Sequence, residues 1–169
     1  MTKSKKSTPT PNKRVLGIDP GFDRIGVAIL EADKVLFSTC IETSRKAKHE
    51  ERLLQIGEEL GAVIKKWKPT DLAIEKLFFN QNVSTALKVS EARGVILYQA
   101  ALAGLKVFEY SPQAIKIAVT GYGKAAKTQM QGMTLRLAGV KKVPKHDDEV
   151  DAIAVGITHL ASKRGVWYK

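Results

Sequence analysis

"VLGIDPG" (residues 15–21) governs how the rest of the chain is read. An apolar, strand-forming run ends in Asp19, and Pro20 and Gly21 then break regular structure. A carboxylate at the mouth of a buried strand either caps a turn or waits for something charged. "RIGVAIL" (24–30) and "KVLFSTCIE" (34–42) read as two further strands joined by a turn. Leu53, Ile56, Leu60, Val63, Ile64 and Trp67 recur at helical spacing, so residues 49–67 form an amphipathic helix. "DLAIE" (71–75) is a fourth short strand, and it also ends in an acid, Glu75.

A second long helix over 84–104 is apolar on an unusually broad face and is closed by Gly104. "LKVFEY" (105–110) is a fifth strand, and Ser111 and Pro112 make a good N-cap and first helical residue. "GYG" (121–123) interrupts that helical region, which resumes over 124–139. After a loop, Val150, Ile153, Ala154, Ile157 and Leu160 mark the core stripe of a last helix. Three consecutive strands, then strands alternating with helices, predict an α/β domain on one mixed sheet.

A chain of 169 residues suits one domain, over 15–169, behind an N-terminal arm. No apolar run approaches the roughly 20 residues needed to span a bilayer, and the N-terminus lacks the apolar stretch of a secretory signal. The single cysteine, Cys40, excludes an internal disulfide and any Cys-rich zinc site. His49, His146 and His159 are too scattered to make a zinc site and read as surface or loop residues, with His146 next to the acidic run at 147–151 and so placed to assist it. These features suit a cytoplasmic protein without a membrane partner.

Charge says more. Lys and Arg outnumber Asp and Glu by 28 to 17, a net charge of +11, and phosphate neutralisation rewards such an excess. Residues 1–14 carry five basic residues and no acid among Ser, Thr and Pro, the composition of a disordered arm. Residues 111–146 hold seven basic residues, Lys116, Lys124 and Lys127 among them, and no acid, after which "DDEVD" (147–151) places four acids in five positions. A basic stretch ending against an acid cluster is what a metal-using enzyme acting on a polyanion needs.

Strands that share a direction bring their ends to one edge of a sheet. Asp19 and Glu75 therefore face each other if the first and fourth strands are adjacent and parallel. Asp148 and Asp151 lie three apart on one face of the last helix, opposite much of the Val150/Ile153/Ile157 stripe, and Asp147 competes for the same role. Clustered carboxylates repel, and one must keep its proton unless a divalent cation is bound. Oxygen-only ligands suit Mg²⁺ or Mn²⁺. Two such ions roughly 3.5–4 Å apart can activate a water and stabilise the leaving oxygen of a phosphodiester. Taken singly, each acid also fits a turn, a solvated strand end or a helix cap.

"VLGIDPG", "LAIEKLFFNQN", "ALKVSEARGVI", "VFEYSPQAIKIAVTGYGKAAKTQM" and "DDEVDAIAVGITH" resemble, in order and spacing, the bacterial RuvC-type Holliday-junction resolvases, from about residue 15 to 159. The resemblance implies an RNase H-like fold with a five-stranded mixed sheet flanked by helices. It also implies a homodimer and Mg²⁺-dependent paired nicking of four-way junction DNA in recombination and repair. On the matching positions, Asp19, Glu75, Asp148 and Asp151 are the four metal-binding catalytic acids. Phe78 is an aromatic that probes unpaired bases, and Lys116 and Lys127 contact DNA near the cut, with Lys124 a further DNA-binding candidate. Members of the family are expected to meet a branch-migration helicase complex. Residues 1–14 depart from the pattern, since members usually begin near the first strand.

Two other readings compete. An RNase H-like ATPase or kinase needs Gly-rich phosphate loops and a second similar domain, and this sequence has neither. A non-catalytic junction- or DNA-binding module of the same fold would not need four acids at matching positions.

Overall fold

The computed structural model describes residues 13–32, 34–77, 83–140 and 142–163. The N-terminal arm expected over 1–14 falls almost wholly outside them. Strands β1 (Arg14–Asp19), β2 (Arg24–Glu31) and β3 (Lys34–Glu42) come first, then helix α1 (His49–Trp67) and strand β4 (Asp71–Glu75). Helix α2 (Val83–Leu102), strand β5 (Lys106–Tyr110) and helices α3 (Pro112–Thr120), α4 (Lys127–Leu137) and α5 (Asp147–Lys163) follow. The sheet has the order β3-β2-β1-β4-β5. β1 to β3 are antiparallel neighbours, whereas β4 runs parallel to both β1 and β5. The expected mixed sheet is therefore present.

Alternation along the strands divides the core in two. Leu16, Ile18, Ile25, Val27, Ile29, Leu72 and Ile74 face α1 and α2, meeting Ile56, Leu60, Ala92 and Ile96. Val15, Ala28, Leu30 and Ala73 face α5, which is backed by α3 and α4 through Ile115, Val119 and Met130. Local signals set the helix ends. The Ser111 hydroxyl accepts from Ala114 N–H at 3.1 Å, and Gly121 closes α3 in the left-handed region at φ 75°. The next helix starts at Lys127 rather than Lys124, because Ala125 N–H bonds Tyr122 C=O and turns the chain first.

α5 departs from its expected amphipathic form. Val150, Ala152, Ile153, Ala154, Val155, Thr158 and His159 are all buried, so no solvent face lies opposite the stripe. The sheet covers one side of the helix, and α3 and α4 cover the other. His159 corrects a second expectation. It is 1% exposed rather than on the surface, with Nε2 at 2.9 Å from Asp71 Oδ2 and Nδ1 at 2.8 Å from the Tyr110 hydroxyl. Burial holds its pKa below the usual imidazole value despite Asp71, and the ring ties α5 to β4 and β5. Among the described residues, no helix is long and apolar enough to cross a membrane.

α5 sits so close to the sheet that two strand positions admit no side chain. A Cβ on Gly17 would strike the carbonyl of Ala152, and one on Gly26 would strike the carbonyl of Asp148. Both obstacles are helix backbone, which cannot step aside. Gly26→Ala and Gly17→Ala should each lower stability by about 1–3 kcal/mol, the cost of overpacking. In a chain of this size that corresponds to about 2–4 °C of melting temperature per kcal/mol. Gly132→Ala, where a Cβ would meet nothing within 4 Å, should be neutral or slightly stabilising in the same thermal melts.

Candidate active site

The sheet register gathers the site. Asp19 pairs across β1 and β2 with Gly26, and Gly26 pairs across β2 and β3 with Cys40. On the other side Ile18 pairs with Ile74 of β4, so the next step of that ladder brings Glu75 beside Asp19. Glu75, Asp19, Gly26 and Cys40 thus form one row across four strands, on the face that carries α5. The vacancy at Gly26 lets the first turn of α5 rest on this row, and that turn supplies Asp148 and Asp151.

Electrostatics record the convergence. The Asp19 carboxyl is pushed up to about 8, by burial first and then by the charges of Asp151, Glu75 and Asp148. Burial and Asp151 also raise Glu75, while Lys127 and Lys116 pull it back. The four acids predicted from sequence therefore act on one another, and Asp147 is not among the charges that raise Asp19. Asp147 is instead 46% exposed and points to Lys127 Nζ at 2.8 Å, which holds its carboxyl below the usual range. This separates the two neighbours that the sequence left in competition.

Cations line the rim. Lys127 Nζ lies 3.0 Å from Asp151 Oδ2, and its ammonium is raised above the usual lysine value by Asp147 and Asp151, against the opposing effect of burial. Gln131 donates to Asp151 Oδ1 at 3.1 Å, one turn along α4 from Lys127. Arg24 Nε sits 3.1 Å from Asp148 Oδ2, an oxygen that is buried and accepts no hydrogen bond. Lys116 on α3 is half-buried near Glu75, whereas Lys124 is exposed in the turn before α4. Phe78 lies outside the described residues. Beside Asp148 opens a cleft of about 730 Å³ lined in part by Arg24, Arg45, Lys88 and Phe22.

Sequence reading missed Arg24, Gln131 and Cys40 as neighbours of the acids. Arg24 opens the strand after the Pro-Gly turn, and Gln131 stands four after Lys127 on one helix face, so both had a signal in their spacing. Cys40 had none. His146 stands in the loop before α5, where it is half-buried and bonds Glu42 through Nε2 at 2.9 Å. His49 stacks on Phe22 and pairs with Glu91 at 2.7 Å. The Cys40 thiol is pushed up to about 11 by burial, with Asp148 and Glu42 adding to it.

The donor set fits hard divalent cations. Four carboxylates converge where one of them is desolvated and can lose its proton only against its neighbours, and one oxygen of Asp148 accepts no hydrogen bond among the described residues.

This sheet order, with acids at the ends of two adjacent parallel strands and on a helix crossing them, defines the RNase H-like class. The family described as "Crossover junction endodeoxyribonuclease RuvC" matches residues 15–159. A protein of that description from Caldicellulosiruptor saccharolyticus is 43% identical over 161 residues, covering 92% of this chain and 97% of the relative. One from Desulfitobacterium hafniense is 44% identical over 152 residues, covering 88% and 92%. The solved structure "T. thermophilus RuvC in complex with Holliday junction substrate" superposes with a TM-score of 0.85 at 30% identity, covering 90% of this chain and 96% of that one. The chain belongs to the RuvC family.

One consequence needs no substrate. Between pH of about 4 and about 8 the unfolded chain has released the Asp19 proton that the folded chain keeps, so metal-free stability falls as pH rises through that window. Asp19→Asn removes this penalty at nearly constant volume. Metal-free Asp19→Asn should melt above wild type at pH 7.5, by about 2–4 °C for each kcal/mol recovered, and the difference should shrink towards pH 4. A variant that melts lower at every pH would mean that Asp19 is not crowded by like charge.

Proposed function

We infer that this chain is a structure-selective endodeoxyribonuclease that resolves four-way (Holliday) junctions by paired, metal-dependent nicks in recombination and repair. The observation that carries the reading is Asp19, a half-buried carboxylate crowded by three others and rimmed by lysines. Asp19, Glu75, Asp148 and Asp151 would hold Mg²⁺, or Mn²⁺ in its place, as a pair in keeping with the carboxylate count. The chemistry that such cations supply is activation of water and stabilisation of the leaving oxygen in an in-line displacement.

The remaining work belongs to the chain's own residues. Asp19 and Glu75 are fixed by paired strands, so their positions do not depend on loop closure. Lys127 holds Asp151 and Asp147 in the absence of DNA, and its exposed ammonium can turn to a phosphate oxygen once those acids have another cation. Lys116 adds positive charge on the Glu75 side. Arg24, Arg45 and Lys88 form a cationic wall along the cleft beside Asp148, suited to tracking a phosphate backbone. A non-catalytic module would have no use for the unfavourable burial of Asp19.

Assembly as a homodimer is supported by α2. Ala92, Ile96 and Ala100 are buried in the chain's own core, and Val95 packs on Gly57 of α1. The apolar surplus therefore lies at Leu87, Tyr98 and Leu102, which are 59%, 62% and 64% exposed. Leu87, Gly94, Tyr98 and Leu102 lie on one stripe by helical spacing. A two-fold dimer through that stripe would present two matching sites to a two-fold symmetric junction.

Purified protein should nick a synthetic mobile four-way junction with Mg²⁺ and not without it. Asp19→Asn and Asp151→Asn should each lose more than the ~10–100-fold typical of an outer metal partner, and Asp147→Asn at most about tenfold. Junction binding should survive in all three, and equal defects at 147 and 151 would overturn the assignment. Sedimentation should give twice the 18.5 kDa chain mass for wild type. Leu87→Glu combined with Leu102→Glu should give the single chain mass and leave at most isolated nicks.

A further inference from the structure

Next to the four acids, and sharing one of them, lies a second group with different chemistry. One ligand atom each from Cys40, His146 and Asp148 falls within 4.8 Å of the others. The row described above explains the meeting. Cys40 is the register partner of Gly26, and the backbone of Asp148 occupies the space where a Gly26 side chain would stand. Glu42, two residues along β3, projects on the same face as Cys40 and takes His146 Nε2 at 2.9 Å. A carboxylate there accepts a hydrogen bond from Nε2–H and leaves Nδ1 as the acceptor nitrogen. Nδ1 faces Arg24 Nη1 at 3.4 Å, and the same guanidinium lies 3.1 Å from Asp148 Oδ2. A cation already stands between His146 and Asp148, carried on a side chain that is 46% exposed and able to swing into the cleft.

We propose that Cys40 Sγ, His146 Nδ1 and Asp148 Oδ2 form an inhibitory site for a soft divalent cation, Zn²⁺ by preference, with Glu42 orienting His146. A tetrahedral zinc ion bound at about 2.0–2.3 Å needs donors about 3.5 Å apart, so side-chain rotation closes the gap. Thiolate and imidazole favour zinc over magnesium, and a carboxylate on the far nitrogen of a liganding histidine is the usual outer partner. A water completes the fourth position. The thiol proton goes to solvent as the sulfur–zinc bond forms, and Arg24 is displaced. The consequence follows from sharing: Asp148 committed to zinc is withdrawn from Asp19, and cutting stops.

The inhibition rests on the endonuclease reading, whereas the site itself does not, so two measurements separate them. Co²⁺ added to the metal-free protein should give a sulfur-to-cobalt charge-transfer band in the near ultraviolet. Cys40 is the chain's single cysteine, so Cys40→Ser should abolish that band. Absence of the band in wild type overturns the site, whether or not the protein cuts junctions. In Mg²⁺, Zn²⁺ should inhibit wild-type cutting reversibly on chelation. Cys40→Ser and His146→Gln should cut normally in Mg²⁺ alone and need at least ~10-fold more Zn²⁺ for half-inhibition, and Glu42→Gln should shift it by ~10-fold. Equal Zn²⁺ sensitivity in wild type and Cys40→Ser overturns the inhibitory role.

Discussion

The structure depends on how closely α5 lies on β1 and β2. Helix backbone touches strand backbone at Gly17 and Gly26, where ordinary side chains would hold the layers apart. That contact delivers the first turn of α5, with its acids, onto the row formed by Glu75, Asp19 and Cys40. Dispersion and apolar burial along Val15, Ala28, Ala73, Ala152 and Ala154 hold the layers together. Small residues recur there because only they allow so short a separation. The same geometry that tightens the core makes the carboxylates converge.

Convergence is electrostatically unfavourable, and the fold bears it by rigidity. The turn after Asp19 is tied down from two sides. The Thr43 hydroxyl donates to the Phe22 carbonyl at 2.7 Å. Buried Arg52 donates to Thr43 at 2.9 Å, pairs with Asp23 and lies over the Phe22 ring at 3.8 Å. At the other end, His159 joins α5 to Asp71 and Tyr110. With both ends of the α5–sheet contact fixed, the acids cannot relax apart, and burial together with their repulsion appears as a raised Asp19 pKa rather than as an open site.

Much of this was legible in the sequence, for identifiable reasons. Every strand was marked by an apolar run bounded by Gly, Pro or charge, and Asp19 and Glu75 were legible as paired ends because both close such runs. Asp148 and Asp151 were legible from their spacing, but their surroundings were not. A helix packed on a sheet on one side and on two helices on the other loses its polar face, and periodicity cannot say what lies behind it. His159 shows the same limit, since burial against Asp71 depends on two residues 88 positions apart. The meeting of Cys40 with His146 was illegible because it depends on a glycine in a third element.

Within the row, the four acids are not held alike. Asp19 and Glu75 are set by strand register, which leaves them no freedom to choose partners. Asp151 is steadied by Lys127 and Gln131 from α4. Among the described residues Asp148 pairs with Arg24, and its buried oxygen accepts no hydrogen bond from them. It is therefore the acid whose allegiance costs least to change, facing hard oxygen donors on one side and sulfur and nitrogen donors on the other. A cation at either side satisfies the same oxygen, and the side that wins decides whether Asp148 completes the carboxylate cluster or leaves it.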